Sequence, residues 1–444
     1  MNEIETLQAA LNTDFITRLS KQISLKATPV QPSDFPELDW SRAEAGDTSG
    51  ASESVAKETQ LGFYELQIPC ATTNARHDRK LSLVLDLDQT LVHAMKLSEL
   101  LADAGPKSDG LLRLSQTDNP KLVEEVTGRM IFGGPDAEPR QLLATRLDGE
   151  MYLIKLRPGL RQFLLELAEQ YELHIYTKAN RNYLNFLLYE LDPVGKLFTS
   201  AVARDDSPDL DTDVKILDRV CCRDMREVVV FDDRVDVWNE TPANVVRAQP
   251  YNFLQTKKFA LLKAFEDGIA GNPSNAALDF DRHLYAIRDV LHKIFNEFVK
   301  ARTVPAPQII SRVRKEVLKD VSLQFTGFTD MQSHVREAEE FGATCNESED
   351  PAVLVAAKHT KRVYDTKKDG SNTRVVHWSW MEHVRSTWTK PSTSIFDLGR
   401  FRVDESGVYP PMDDWEIAYI AANADSRAMS VSSRDPKKRR KDGN

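Results

Sequence analysis

Only four of the 444 residues are cysteine, and Cys70, Cys221, Cys222 and Cys345 include no C-x-x-C pair. They form no disulfide framework and fit a reducing compartment. No apolar run approaches the ~20 residues that a membrane helix needs, so no membrane contact is expected. The N-terminal MNEIETLQAALNTDF is acidic early and lacks a basic n-region, which argues against a signal peptide. Excess positive charge is missing too. With 58 basic and 68 acidic residues the net charge is −10, which speaks against a protein that coats nucleic acid. The chain shows no internal repeat.

What is present suggests a soluble chain of about three domains. It is 41% hydrophobic and 28% charged, enough of both for real cores and a solvated surface. Residues 1–60 are polar, with Pro29, Pro32, Pro36 and then GDTSGASES, and are expected to lack a packed core. One segment opposes the acidic balance. PKKRRK at 436–441 is the short basic run that a nuclear-import receptor reads, or else a solubilising tail.

Between these ends the pattern is α/β. LSLVL at 81–85 is apolar at nearly every position, the mark of a strand buried on both faces. Residues 103–150 read as an insertion, ending in two strand-like runs around Asp148-Gly149, a hairpin cue. A Pro-Gly turn, a helix with Phe163, Leu164 and Leu167 on one face, and the strand LHIY at 173–176 follow. A further helix over 180–191 and the strand VVVF at 228–231 complete a βαβ alternation, hence a parallel sheet. Residues 256–312 read as helical. Leu284, Ile287, Val290, Leu291, Ile294, Phe295 and Phe298 recur at helical spacing over 281–301. TVPAP at 303–307 stops that helix and marks a boundary. A second, smaller α/β pattern occupies about 313–400.

In an open parallel sheet, ligands bind beyond the carboxyl ends of the strands. The first strand runs into Asp86, Asp88 and Thr90, LHIY into Thr177, and VVVF into Asp232, Asp233 and Arg234. Lys215 lies between the last two strands and could open a helix at the same edge. Each alone has an ordinary reading, since an Asp after a strand is commonly a helix N-cap. Together they place four acids, two hydroxyls and two cations on one rim. Hard oxygen ligands select Mg²⁺, which would relieve repulsion among Asp86, Asp88 and Asp233. Lys215 and Arg234 suit a phosphoryl group. One carboxylate can then attack phosphorus while its neighbour two residues on manages protons.

DLDQT resembles the DxDxT signature of haloacid-dehalogenase-like phosphotransferases. The wider set LVLDLDQTLVHA, KLRPGLRQFLLELAEQYELHIYT, LDPVGKLF and VVVFDDRVDVW resembles the TFIIF-associating, FCP-type phosphatases of the RNA polymerase II C-terminal domain. The resemblance covers about 61–255. It implies a haloacid-dehalogenase-like, Rossmann-type sheet with only a small insertion. By motif, Asp86 would be the nucleophile and Asp88 the acid/base, with its backbone carbonyl on Mg²⁺. Thr90 would support the aspartyl loop, and Thr177 and Lys215 would hold phosphoryl oxygens. Asp233 would ligate the metal, with Asp232 beside it as a water-mediated ligand or an orienting group. Arg157, Tyr171, Asp192 and Arg204 match positions that support the site or the substrate, with Arg234 beside them. Asp192 could equally end a helix before Pro193, and Tyr171 could equally be core.

Residues 313–400 resemble a BRCT domain, with Gly327 in the first turn, Gly342 ending the first helix and Trp380 as the buried family tryptophan. Thr326 with Lys361 or Arg362 are the nearest matches to a BRCT phosphopeptide pocket. The resemblance implies a nuclear, monomeric, Mg²⁺-dependent serine/threonine phosphatase acting on the phosphorylated heptad-repeat tail of RNA polymerase II. TFIIF is a candidate partner only through DDWEIAYIAANAD at 413–425, and no direct nucleic-acid contact is expected. Three alternatives stand beside this reading: a phosphatase of another phosphoprotein or small ester, a phosphopeptide-binding scaffold with a decayed site, and a chromatin or repair module.

Overall fold

The computed structural model describes residues 80–102, 123, 130–132, 141–206, 212–220, 224–269, 274–276, 279, 281–301, 303–345, 350–368, 371–404, 406–410 and 412. The N-terminal 1–60, Cys70, Cys221, Cys222, the 413–425 piece and the basic run 436–441 lie outside the described residues, as does most of 103–140. Among the described residues no helix is long and apolar enough to cross a membrane.

The described chain begins with β1 (Leu81–Leu85), β2 (Val92–Lys96) and the short α1 (Leu97–Ala102), then β3 (Met130–Phe132). The hairpin β4 (Leu142–Leu147) and β5 (Glu150–Leu156) leads into α2 (Leu160–Ala168), β6 (Tyr171–Tyr176), α3 (Arg181–Leu191) and β7 (Phe198–Val202). After β8 (Val228–Asp232) and β9 (Val245–Arg247) come α4 (Phe253–Thr256), α5 (Lys258–Ile269), β10 (Ser274–Ala276), α6 (His283–Ala301) and α7 (Ala306–Lys315). The second unit contributes β11 (Leu323–Thr326), α8 (Met331–Glu340), β12 (Val353–Ala356), α9 (Lys361–Lys368), β13 (Arg374–His377) and α10 (Ser379–Thr387).

The principal sheet has the order β7-β6-β1-β8-β9 and is parallel throughout. β1 sits between β6 and β8, and all five of its residues are buried, which is why it reads as an unbroken apolar run. Chain connections leave β1 in opposite directions across the sheet, so its carboxyl end is the switch point where a crevice opens. This is the haloacid-dehalogenase-like parallel sheet expected.

A small antiparallel sheet of order β2-β5-β4 flanks it. Its hairpin turns at Asp148 and Gly149, with φ of 50° and 85°, both in the left-handed region that a two-residue primed turn demands. The stretch between α4 and α6 is not wholly helical, because β10 pairs with β3 and so joins two remote segments. Gly159 precedes α2 with φ of 76°, and a Cβ there would meet the Tyr285 ring at 2.5 Å. Glycine is therefore required twice over.

The second unit has three parallel strands in the order β11-β12-β13, and Thr344 bridges in parallel to Ser322 on the outer side of β11. Gly342 ends its first helix, and a Cβ there would lie 1.9 Å from the Lys315 carbonyl. Trp380 is buried, as expected. The Pro-rich 303–307 does stop α6, yet the apolar core continues across it. Buried residues from Leu81 through Ile287, Ile294, Ile310 and Val313 to Trp380, Trp388 and Phe396 form one contiguous cluster. α6 and α7 thus act as a shared wall between the two sheets.

Candidate active site

The site is assembled at the carboxyl ends of β1, β6 and β8. The backbone N–H of Asp86 donates to the Phe231 carbonyl at 3.0 Å, which locks the end of β1 to β8. The chain then turns sharply, with Gln89 at φ 61°. The Gln89 N–H returns to the Val92 carbonyl at 2.7 Å. This aspartyl loop places Asp86 and Asp88 on the same side of the sheet edge.

Lys215 is the electrostatic centre. Its Nζ donates to Asp86 Oδ1 at 2.6 Å and to Asp232 Oδ2 at 2.8 Å, and all three side chains are buried. It does not open a helix. Its N–H is committed to the Val237 carbonyl at 2.8 Å, which holds 212–216 as an irregular segment threading the ammonium inward. Asp232 is fixed further by Trp238 Nε1 at 2.9 Å and by the Arg234 N–H at 2.8 Å. With both oxygens engaged, it orients Lys215.

Asp233 is tied to the aspartyl loop, since its N–H donates to Thr90 Oγ1 at 3.1 Å. Asp86, Asp232 and Asp233 each offer an oxygen within 4.8 Å of the others. Three carboxylates so close are a donor set that suits a hard divalent cation. Asp88 is not part of that cluster. It receives the Tyr183 hydroxyl at 2.6 Å and a long contact from Thr177 Oγ1 at 3.4 Å. The two acids of DLDQT therefore occupy different environments, one against a cation and one against hydroxyls.

Burial pushes the Asp86 carboxyl up to about 7, with Lys215 pulling the other way and Asp232 adding to the rise. Burial raises Asp88 as well, opposed first by the hydrogen bond from Tyr183. Asp233 is raised by burial and then by its neighbour Asp232. Burial alone would lower Lys215, but the two carboxylates outweigh it and hold the ammonium above the ordinary lysine value. A group poised near neutrality beside one kept protonatable is the arrangement that acid/base chemistry needs.

Arg157, Tyr171 and Asp192, expected to support the site or the substrate, are all engaged within the fold. Arg157 is buried, donates from Nε and Nη2 to both oxygens of Asp281 at 2.9 and 2.8 Å, and from Nη1 to the Thr90 and Gln249 carbonyls at 2.8 and 2.9 Å. It braces the aspartyl loop from behind. Tyr171 starts β6, at the end of the sheet away from the site, and its hydroxyl donates to the Leu291 carbonyl at 2.7 Å. Asp192 follows α3 and accepts the N–H groups of Lys196, Leu197 and Phe198, so the helix-end reading holds. Arg204 and Arg234 do stay on the exposed rim. Arg204 lies 3.8 Å from Asp205, and Arg234 is held between Asp213 at 2.9 Å and Asp236 at 2.6 Å.

In the second unit, the Thr326 and Thr360 hydroxyls are 2.8 Å apart, at the end of β11 and just before α9. Lys361 opens that helix, exposed, while Arg362 turns back to Gln324 Oε1 at 3.1 Å. Thr326 is buried, with its hydroxyl already bonded to Thr360.

Sequence reasoning missed Tyr183, Trp238, Asp281 and His283. Tyr183 was hidden among the apolar positions of α3, and Trp238 was seen only as part of a signature. Asp281 and His283 lie outside any motif and reach the site only through tertiary folding.

Residues 81–272 match the NLI interacting factor-like phosphatase family. An RNA polymerase II C-terminal domain phosphatase of Schizosaccharomyces pombe is 37% identical over 182 residues, spanning 40% of this chain and 22% of the relative. The RNA polymerase II C-terminal domain phosphatase-like 4 of Arabidopsis thaliana is 24% identical over 423 residues, covering 90% of this chain and 89% of that protein. The solved structure of Fcp1, an essential RNA polymerase II CTD phosphatase, superposes with a TM-score of 0.51 at 26% identity. That match covers 72% of this chain and 96% of the solved one. The resemblance drawn from DLDQT and its companion motifs is borne out. The chain nevertheless spans less than a quarter of the length of the fission-yeast relative.

Proposed function

We propose, from the match of residues 81–272 to the NLI interacting factor-like phosphatase family, that the chain is a Mg²⁺-dependent protein serine/threonine phosphatase. Its proposed substrate is the phosphorylated heptad-repeat tail of RNA polymerase II. The observation that carries the chemistry is the pairing of Asp86 with Lys215 at 2.6 Å while Asp88 turns to Tyr183 at 2.6 Å. The ammonium favours the ionised form of Asp86 that attack needs, against the pull of burial, and burial keeps Asp88 protonatable against its hydroxyl partners.

In the first half-reaction an Asp86 oxygen forms a bond to phosphorus as the phosphorus–serine oxygen bond breaks. Asp88 gives its proton to the departing serine oxygen. In the second half-reaction Asp88 takes a proton from water as that water attacks phosphorus, and the bond to Asp86 breaks to release phosphate. Lys215 and Thr177 hold phosphoryl oxygens, and Thr90 keeps Asp233 beside Asp86. A Mg²⁺ held by Asp86, Asp233 and the Asp88 carbonyl would neutralise charge on the phosphoryl group.

The relatives' names support the polymerase tail as substrate, and a nuclear location would follow, with 436–441 as the import signal. Residues 313–400 would act as a BRCT unit beside the catalytic domain of a monomer. A second weak contact on a repetitive tail raises the effective concentration at the first, and TFIIF remains a candidate partner. The test is phosphate release from a multi-heptad phosphoserine peptide and from p-nitrophenyl phosphate, with and without Mg²⁺. Mg²⁺-dependent turnover of the peptide is expected. Turnover of the small ester alone would remove the polymerase substrate, and peptide binding with no turnover of either would favour a scaffold.

A further inference from the structure

Arg157 grips the aspartyl loop, but what grips Arg157 lies beyond the catalytic domain. Asp281 closes a two-pronged fork on the guanidinium, at 2.9 and 2.8 Å, and also accepts the His283 N–H at 3.0 Å. The His283 ring is spent on both sides. Its Nε2 accepts the Gln249 N–H at 3.0 Å, so Nδ1 must carry the proton, and it donates to the Ser386 carbonyl at 2.7 Å. Ser386 belongs to α10 of the second unit. The ring also stacks on Phe231, 5.8 Å between centroids and 26° between planes. Phe231 is the residue whose carbonyl receives the Asp86 N–H. Arg157 and His283 also share Gln249, one through its carbonyl and the other through its N–H.

Resting on the phosphatase reading, we propose that Asp281 and His283 are positioning residues that tie the aspartyl loop to the second α/β unit, so that seating of α10 sets the geometry around Asp86. Arg157 and His283 are buried and the Asp281 side chain is only 14% exposed, so a shift of α10 is little taken up by solvent and passes to Thr90, Gln249 and Phe231. The second unit is then part of the catalytic apparatus for every substrate, including one too small to touch it.

The test uses the full chain with His283→Asn and His283→Gln. Asparagine places an amide where Nδ1 stood and keeps the bond to Ser386. Glutamine places its amide oxygen where Nε2 stood and keeps the bond to Gln249. Each loses one hydrogen bond, so their melting temperatures should be alike. With p-nitrophenyl phosphate, His283→Gln is expected to lose about tenfold in kcat at unchanged KM, while His283→Asn stays within about threefold. Hydrogen exchange over 86–93, which needs no turnover, should quicken more in His283→Gln. Equal kcat and exchange in the two variants, or better retention by His283→Gln, would overturn the coupling. Absence of turnover in the wild-type chain would count against the phosphatase reading alone, leaving the exchange comparison to decide this one.

Discussion

Replacing Lys215 with methionine removes the cation that sits between the buried carboxylates Asp86 and Asp232. At 2.6 and 2.8 Å, each pair has a gross attraction of about 6 kcal/mol at an effective dielectric of ~20. Most of that is offset by the cost of burying three charges. What remains on breaking such a pair is a net loss of about 3–5 kcal/mol, because the carboxylates stay behind uncompensated. The sign of the pH dependence follows. Without Lys215 the folded-state pKa of Asp86 rises further above its unfolded value of 3.8, beyond the about 7 it already has. The folded state then binds the extra protons, so the variant regains stability as pH falls from 8 towards 5. Urea unfolding of metal-free protein, followed by tryptophan fluorescence, measures both effects. Mg²⁺ at a hundred times the wild-type Kd should add about 3 kcal/mol to the wild type, and the same concentration should add more to the variant, since the competing ammonium is gone. A variant as stable as wild type at pH 8, with no gain on acidification, would refute this electrostatic account.

Tyr183→Phe removes the hydrogen bond that opposes the rise of Asp88. The kcat limb that reports Asp88 should therefore move to higher pH in a pH–rate profile, with kcat down about tenfold. Arg157→Lys cannot make the fork to Asp281 and is expected to cost about 2–3 kcal/mol in urea unfolding. His283 is held neutral by burial and by Arg157, its pKa lowered from 6.5 to about 3. Unfolding frees it to protonate, so it contributes about 2 kcal/mol less stability at pH 5 than at pH 7. His283→Asn should flatten the stability–pH curve in that window by about this amount.

The parallel sheet was legible because β1 and β8 are buried on both faces and so carry uninterrupted apolar runs, while the acids after them mark the strand ends. The rim residues from Asp86 to Asp233 follow from that one rule of strand termini. Lys215 was placed at the correct edge but on the wrong element, since no local signal says that its backbone will pair with Val237. Arg157, Tyr171 and Asp192 show the limit of motif reading. A motif preserves a residue without stating whether it touches substrate or braces the loop that does. The Asp281–His283 link was invisible because a hydrogen bond to a backbone carbonyl, such as Ser386, leaves no trace in side-chain type. The shared core behind α6 and α7 was equally hidden, since a helix stripe shows that a face is buried and not what covers it.

The central claim is that Asp86 forms a covalent bond to phosphorus. Acid quenching of the full chain during turnover of a ³²P-labelled phosphoserine peptide, followed by hydroxylamine treatment, tests it directly. The account predicts protein-bound label that hydroxylamine releases, that maps to the peptide containing Asp86, and that is absent in Asp86→Asn. Turnover at the wild-type rate in Asp86→Asn, or sustained turnover with no label on the protein, would contradict it.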